Sequence, residues 1–153
     1  MTDKRPFSLA VFALCGAAVL AVPAIAQNLD AIEKRQQLMK DNGKAAKAAG
    51  AILKGEAEFS PDKAAEIFTA MHEVSVKFGD YFPEDSKTGG KTEAAPAIWQ
   101  KPDEFKAALV KYQEDTQAAM DAAPQDVDAF KQAFGQVAQN CKGCHEDFRI
   151  DKD

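Results

Sequence analysis

Three residues near the end of the chain carry side chains that suit covalent or metal chemistry. Cys141, Cys144 and His145 fall within five residues, and the whole chain has only three cysteines and two histidines. If this segment is helical, the i, i+3 and i, i+4 spacings place all three side chains on one face. Three kinds of site use such a set: a structural zinc site, a redox-active dithiol and a covalent haem site.

The spacing favours the haem site over the other two. A structural zinc ion needs four ligands, and His72 is the only further histidine. A thioredoxin-like pair is expected in a strand–helix setting, at a helix N-terminus that lowers the thiol pKa, but this pair follows a long helical segment. Cys-x-x-Cys-His is the signature of haem attachment, in which two thiols add to the vinyl groups and the histidine ligates the iron. We therefore predict one covalently attached haem c per chain, held by Cys141 and Cys144, with His145 as an iron ligand.

The first 26 residues have the features of a cleaved secretory signal peptide. A short basic head precedes an apolar run over residues 9–22, and Ala-Ile-Ala at 24–26 supplies the small-x-small pattern of a cleavage site. The run is shorter than the roughly 20 apolar residues of a membrane-spanning helix. We predict a mature periplasmic domain of residues 27–153 that is not an integral membrane protein, with Cys15 discarded with the leader.

Composition narrows the classes of function. The chain has a formal net charge of −5 and no basic stripe of the kind that binds nucleic acid. No acid–base pair or substrate site accompanies the cysteine motif, so we do not predict an enzyme. Redox proteins of the periplasm are the expected partners, and a homodimer is an arrangement that the sequence leaves open.

Hydrophobic periodicity predicts an all-α fold. Apolar or small residues recur at helical spacing in four segments, and no segment of any length shows strand alternation. The connection over residues 79–102, with three prolines and three glycines, is long enough to cross between halves of a bundle. We predict one antiparallel four-helix bundle with the haem near the C-terminal end of its last helix. The first helix is expected over 29–49, ended by Gly50, and the second from Ser60-Pro61 to Gly79. The third is expected from Pro102 to Ala122, and the fourth from Gln125-Asp126 onward. The inner face of the first helix is expected to consist of Leu29, Ile32, Gln36, Met39, Gly43 and Ala46.

The chain resembles class II cytochrome c, the cytochrome c′ family, over residues 28–151. The attachment motif stands at the C-terminus of an exported helical chain, whereas the more familiar small cytochromes carry it near the N-terminus. Arg-Gln-Gln-Leu-Met at 35–39 is similar to the first-helix segment of the family. Pro-Ala-Ile-Trp at 96–99 is similar to the segment before the third helix, and Arg149 matches a basic position four residues after the histidine.

The resemblance implies roles for Met39 and Arg149, and position in the chain suggests roles for Gly43, Arg35 and Trp99. Met39 corresponds to the distal haem position, and Gly43 one turn later would leave room for the ring. Arg35 would pair with a haem propionate, although a solvated helix-face arginine fits its position equally well. Trp99 would pack against the haem edge or simply within the core. Arg149 would lie close to the proximal imidazole and oppose the helix dipole.

The sixth coordination position divides the family into two functional types. Some members have an open distal site and high-spin iron, and others have a methionine that completes a low-spin centre. The segment around Met39 is more similar to the low-spin members, which predicts a one-electron carrier with His145 and Met39 as axial ligands. The alternative is a five-coordinate protein that binds nitric oxide or carbon monoxide, with Met39 only filling space. His72 is a weaker candidate for the sixth ligand.

Overall fold

The computed structural model describes residues 28–150, so the predicted signal peptide lies outside the described residues. Long helices with buried apolar faces account for most of the described chain. None of the helices in this part of the chain is long and apolar enough to cross a membrane. In chain order the helices are α1 (Leu29–Leu53), α2 (Pro61–Phe78), two single turns of 3-10 helix (Gly79–Tyr81 and Glu84–Ser86), the short α3 (Ala97–Gln100), α4 (Pro102–Ala122) and α5 (Val127–Phe148).

The four long helices form an antiparallel four-helix bundle, as predicted. Helices α2 and α4 pack antiparallel to each other. His72 near the middle of α2 meets Thr116, and Gly79 at its end meets Leu109, which comes earlier in α4. Two apolar clusters form the core. The larger runs through the bundle from Ala49 to Phe130, and the smaller joins Phe105 and Phe148 at the end where the cysteine motif lies.

The predicted starts of α2 and α5 are confirmed by their capping contacts, and α4 begins at the predicted Pro102 without a side-chain cap. The Ser60 hydroxyl accepts a hydrogen bond from the Lys63 N–H, directly before the proline that opens α2. The Asp126 carboxylate accepts from the Ala129 N–H and begins α5. Helix α4 ends at Ala123, which adopts a left-handed conformation with φ of 39°.

Helix α1 is longer than predicted. Gly50 does not end it, and the helix continues to Leu53 before Gly55 turns the chain with φ of +73°. A glycine within a helix costs about 1 kcal/mol relative to alanine. Burying the next apolar residue, Ile52, in the core contributes roughly 1.5–3 kcal/mol. The free energy gained by burying Ile52 is larger than the cost of Gly50 within the helix, so the helix continues for another turn.

The buried face of α1 also differs from the predicted one. Leu29 and Gly43 are exposed, and Gln36 and Met39 are half-buried. The face is rotated because it contains two polar side chains whose partners lie elsewhere in the chain and cannot be read from hydrophobic periodicity. Its buried residues are Ala31, Ile32, Arg35, Asn42, Ala45, Ala49 and Ile52.

The segment between α2 and α4 is more ordered than a simple connection. Backbone hydrogen bonds join it to the end of α5, from Ala95 N–H to the Phe148 carbonyl at 2.9 Å and from Ile150 N–H to the Glu93 carbonyl at 2.8 Å. These contacts form a short antiparallel bridge between Ala94 and Arg149. The connection therefore fixes the end of the helix that carries the cysteine motif.

Candidate haem-binding site

A partly open pocket, whose empty volume of about 380 Å³ includes adjoining open solvent, brings the cysteine motif and Met39 together. Helix α5 contributes the motif, and α1, α4 and the end of α2 contribute the rest of the lining. The residues that line it are Met39, Asn42, Phe78, Ala108, Leu109, Tyr112, Asn140, Cys141, Cys144 and His145. Cys141, Cys144, His145 and Met39, which were predicted from sequence, therefore share one pocket.

The two cysteines are half-buried free thiols on successive turns of α5. Burial raises the pKa of both, that of Cys144 to about 11 with a smaller contribution from neighbouring Cys141. Redox-active dithiols need the opposite shift, since the thiolate is the reactive form. The pair also lies at the C-terminal end of its helix. The surroundings of Cys141 and Cys144 therefore do not favour dithiol exchange.

Sequence reasoning missed two amide side chains of this pocket, Asn140 and the buried Asn42. Asn42 follows Met39 by three residues on α1 and is buried, with its Oδ1 accepting a hydrogen bond from the Tyr112 hydroxyl at 2.6 Å. Burial is the main cause that raises the pKa of Tyr112, which stays a neutral donor. The i, i+3 spacing from Met39 was the available signal. Gly43, which was expected to make room for the ring, is exposed on α1 and does not line the pocket.

Arg35 is buried and hydrogen-bonded. The alternative prediction, that it is a solvated arginine on the face of the helix, is therefore wrong. One guanidinium nitrogen donates to the Tyr81 carbonyl and the Ser86 hydroxyl at 2.9 and 2.8 Å, and the other donates to the Ser86 carbonyl and the Thr92 hydroxyl at 2.8 and 2.7 Å. The guanidinium also lies 4.8 Å from the ring centroid of Phe82. Burial lowers its pKa, but an arginine remains charged. Arg35 does not line the pocket, and its predicted pairing with a propionate stays a prediction.

Trp99 belongs to the aromatic cluster next to the pocket. Its indole N–H donates to the Phe82 carbonyl at 2.9 Å, and Phe82 contacts the rings of Phe78 and Phe105. Phe78 in turn lines the pocket. The indole therefore supports the pocket through other rings, and its predicted contact with the haem edge stays a prediction.

Arg149 follows α5 and pairs with the connection. Its guanidinium contacts the Glu93 carboxylate at 3.0 and 2.9 Å, and both side chains are exposed. Its backbone N–H donates to the His145 carbonyl at 3.3 Å. This residue is linked to His145 through the backbone of the last helical turn, and its predicted proximity to the imidazole stays a prediction.

His72 lies outside the pocket. Its Nδ1 is 3.1 Å from the Thr116 hydroxyl, and it borders a shallower and larger hollow between α2 and α4 that contains none of the motif residues. Its position offers no support for a role as a sixth iron ligand or as a fourth zinc ligand.

The residues of the pocket fit a haem by their chemistry. Two thiols and an imidazole on α5 are what covalent attachment and proximal ligation require, and a thioether on α1 is a suitable soft ligand. Much of the remaining wall consists of Phe78, Ala108 and Leu109, which provide apolar surface for a macrocycle. Both the donor set and the walls therefore match this cofactor.

Comparison with known proteins agrees with this assignment. The sequence model of the family described as Cytochrome C' matches residues 30–149. Cytochrome c' of Rhodopseudomonas palustris is 35% identical over 94% of this chain and 98% of its own, and cytochrome c-556 of Agrobacterium fabrum is 34% identical over 91% and 89%. A solved structure of cytochrome c' from Rhodopseudomonas palustris superposes with a TM-score of 0.77 at 38% identity, covering 81% of this chain and 98% of that one. These homologues carry covalently bound haem c. The chain belongs to the cytochrome c′ family.

Proposed function

We propose that this protein is an exported one-electron carrier whose haem has His145 and Met39 as axial ligands. The observation that supports the proposal is that these two residues line one pocket from different helices, α5 and α1. If both residues bind the iron, they would leave no vacant coordination position for a substrate or gas. The partner would then be another redox protein, and the membership of this chain in a family of haem proteins supports that class of function.

The bound haem supplies an iron that alternates between the ferric and ferrous states. The chain supplies rigid positions for the two ligands, because both lie within long helices rather than on loops. An imidazole from His145 and a thioether from Met39 would give the iron the same ligands in both oxidation states. Electron transfer then needs little movement of the protein. A Met/His pair also favours a higher reduction potential than more strongly donating ligands.

Two further groups support the geometry of this site. Arg35 joins α1 to the connection through four hydrogen bonds, which fixes the helix that carries Met39. The bridge between Ala94 and Arg149 joins the same connection to the end of α5, next to His145. The connection thus ties together the two helices whose separation sets the distance between the axial ligands.

A gas-binding function is the second candidate. Met39 is half-buried rather than enclosed, and the relatives include proteins named cytochrome c' as well as proteins named cytochrome c-556. In this alternative the thioether fills space above an open coordination position. The two candidates differ in a single bond, from the Met39 sulfur to the iron.

Replacing the sulfur while keeping the volume tests the proposal. Met39→Leu in the haem-loaded protein should convert a low-spin visible spectrum to a high-spin one, lower the reduction potential and speed carbon monoxide binding to the ferrous form. Met120→Leu is a matched control, because Met120 is half-buried on α4 and packs against the larger core cluster outside the pocket. If Met39→Leu has the same spectrum and carbon monoxide kinetics as the unmodified protein, Met39 is not a ligand.

The predicted export also belongs to this proposal. Cleavage after Ala26 would deliver the domain of residues 27–153 to the periplasm, where the partners of the carrier would be found. N-terminal sequencing of the haem-loaded protein purified from a periplasmic fraction should begin at Gln27. Recovery of the full-length chain in the membrane fraction would contradict the proposal.

A further inference from the structure

Asn42 is a buried amide with an unused donor. The side chain is 8% exposed, and its Oδ1 accepts from the Tyr112 hydroxyl at 2.6 Å. Because the hydroxyl donates to the oxygen, the nitrogen Nδ2 is turned the other way. Nδ2 donates no hydrogen bond to any group within residues 28–150. Asn42 therefore has a donor that the protein itself leaves unpaired.

Asn42, which carries the unused donor, is one of the residues that line the pocket. Among the described residues, no side-chain nitrogen or oxygen that is fully enclosed lacks a partner, so the Asn42 nitrogen must border open space. Of the two pockets described for residues 28–150, the one that includes Asn42 is the one shared with Met39 and the cysteine motif. The Tyr112 hydroxyl holds the amide in this orientation from α4, across the bundle.

When a haem fills the pocket, the unpaired donor of Asn42 lowers the stability of the protein. A buried donor without a partner destabilises by roughly 1–3 kcal/mol, and a bound haem would displace water from this site. Asn42 and Met39 are i, i+3 neighbours on α1, so their side chains lie on one face. A thioether sulfur is a weak hydrogen-bond acceptor. It belongs to a residue that lines the same pocket as Asn42.

We propose that Asn42 is a positioning residue that donates a hydrogen bond from Nδ2 to the Met39 sulfur, with Tyr112 fixing the amide. This inference rests on the proposed function, since it assigns the partner of an iron-bound thioether. The hydrogen bond would hold the sulfur toward the iron. It would also withdraw electron density from the ligand, which favours the ferrous state and raises the potential.

The first test is the reduction potential of Asn42→Leu in the haem-loaded protein, which removes the donor while keeping a similar volume. We expect the spectrum to stay low-spin and the reduction equilibrium constant to fall about threefold to tenfold, or about 30–60 mV for one electron. Carbon monoxide should also bind the ferrous form faster. Tyr112→Phe keeps the ring but frees the amide, so it should move both quantities in the same direction by less. If Asn42→Leu does not fold, Tyr112→Phe still tests the hydrogen bond.

Two further variants separate a hydrogen bond to sulfur from a general effect on stability. Ser75→Ala removes another buried hydroxyl that does not line the pocket, so it should leave the potential unchanged. In a Met39→Leu background, Asn42→Leu should have no further effect, because the acceptor is gone. An undiminished effect in that background would overturn the inference, as would an unchanged potential in Asn42→Leu and Tyr112→Phe.

The outcomes distinguish this inference from the proposed function. If the unmodified protein is low-spin and its reduction potential does not change in Asn42→Leu, only the hydrogen bond is refuted. The proposed function as an electron carrier is then unaffected. A high-spin unmodified protein would refute Met39 ligation and, with it, the assigned acceptor.

Discussion

At the scale of single residues, buried polar side chains make the most specific contacts around the pocket. Arg35 joins four oxygens of the connection, and Asn42 joins α1 to Tyr112 of α4. A buried polar group is tolerated when its hydrogen bonds are made and is costly when one partner is removed. Substitutions at these positions should therefore have larger effects than substitutions of the exposed ion pairs.

The attachment of the haem through Cys141 and Cys144 is the first prediction at this scale. Thioethers survive acid and organic solvent, so acid–acetone extraction of the purified protein should leave the haem with the polypeptide. In the double variant Cys141→Ser, Cys144→Ser, any bound haem should pass into the acetone. Release of free haem from the unmodified protein would show that the thiols do not attach it.

Removing the guanidinium of Arg35 should destabilise the protein strongly. Arg35→Met keeps much of the stem but leaves four oxygens of the connection without their donor, which should lower the free energy of unfolding by about 2–4 kcal/mol. Urea unfolding followed by circular dichroism measures the difference. Lys34→Met is the control, because Lys34 is exposed on the same helix and should change stability by less than about 0.5 kcal/mol. Equal stabilities of the two variants would contradict the claim that the hydrogen bonds of Arg35 stabilise the protein.

The sequence indicated Cys141, Cys144, His145 and Met39 as site residues, but it did not predict the burial and the partners of Arg35 and Asn42, for a physical reason. Cys141, Cys144 and His145 are local in sequence, and Met39 could be identified from the segment that resembles the family. Arg35 and Asn42 have partners 51 and 70 residues away, in Ser86 and Tyr112. Hydrophobic periodicity treats both as polar and therefore places them outside the core. Only the packing of α1 against the rest of the chain shows that they are inside.

At the scale of elements, local capping signals determined most helix ends. Ser60 and Asp126 accept hydrogen bonds from the first turns of α2 and α5, where the sequence had indicated starts. The exception is Gly50, because tertiary burial of Ile52 extends α1 beyond it. A terminator is identified by its backbone conformation, and here that residue is Gly55.

Two glycine substitutions should therefore change stability in opposite directions. Gly50→Ala should stabilise by about 0.5–1 kcal/mol, since the residue is helical and an added Cβ meets nothing within 4 Å. Gly55→Ala should destabilise by about 1 kcal/mol, because its φ of +73° is unfavourable for a residue with a Cβ. Thermal unfolding of the two variants checks the signs. Destabilisation by Gly50→Ala would indicate that the helix does end where the sequence suggested.

At the scale of the whole molecule, the haem pocket lies where α1, α4 and α5 meet. Its empty volume of about 380 Å³ is bordered by residues of the smaller apolar cluster, including Cys144, Ala108 and Leu109. A group bound only by the folded state adds its binding free energy to stability. The bundle and the cofactor are therefore expected to stabilise each other.

Loss of the haem should lower the thermal stability of the bundle substantially. The haem-free chain, obtained by expression without attachment machinery, should unfold at least about 10 °C lower than the haem-loaded protein, which corresponds to a few kcal/mol for a domain of this size. Differential scanning calorimetry of both forms measures the difference. A haem-free chain with the same unfolding temperature would mean that the bundle does not depend on its cofactor.

Ligation of the iron by Met39 is the central claim, and the visible absorption spectrum of the unmodified ferrous protein tests it most directly. We expect the sharp, split bands of low-spin haem, with little immediate change when carbon monoxide is added, because the thioether must first leave. A broad high-spin spectrum that is converted rapidly to the carbon monoxide complex would contradict the claim. The second candidate, a gas-binding protein with an open distal site, would then describe this chain.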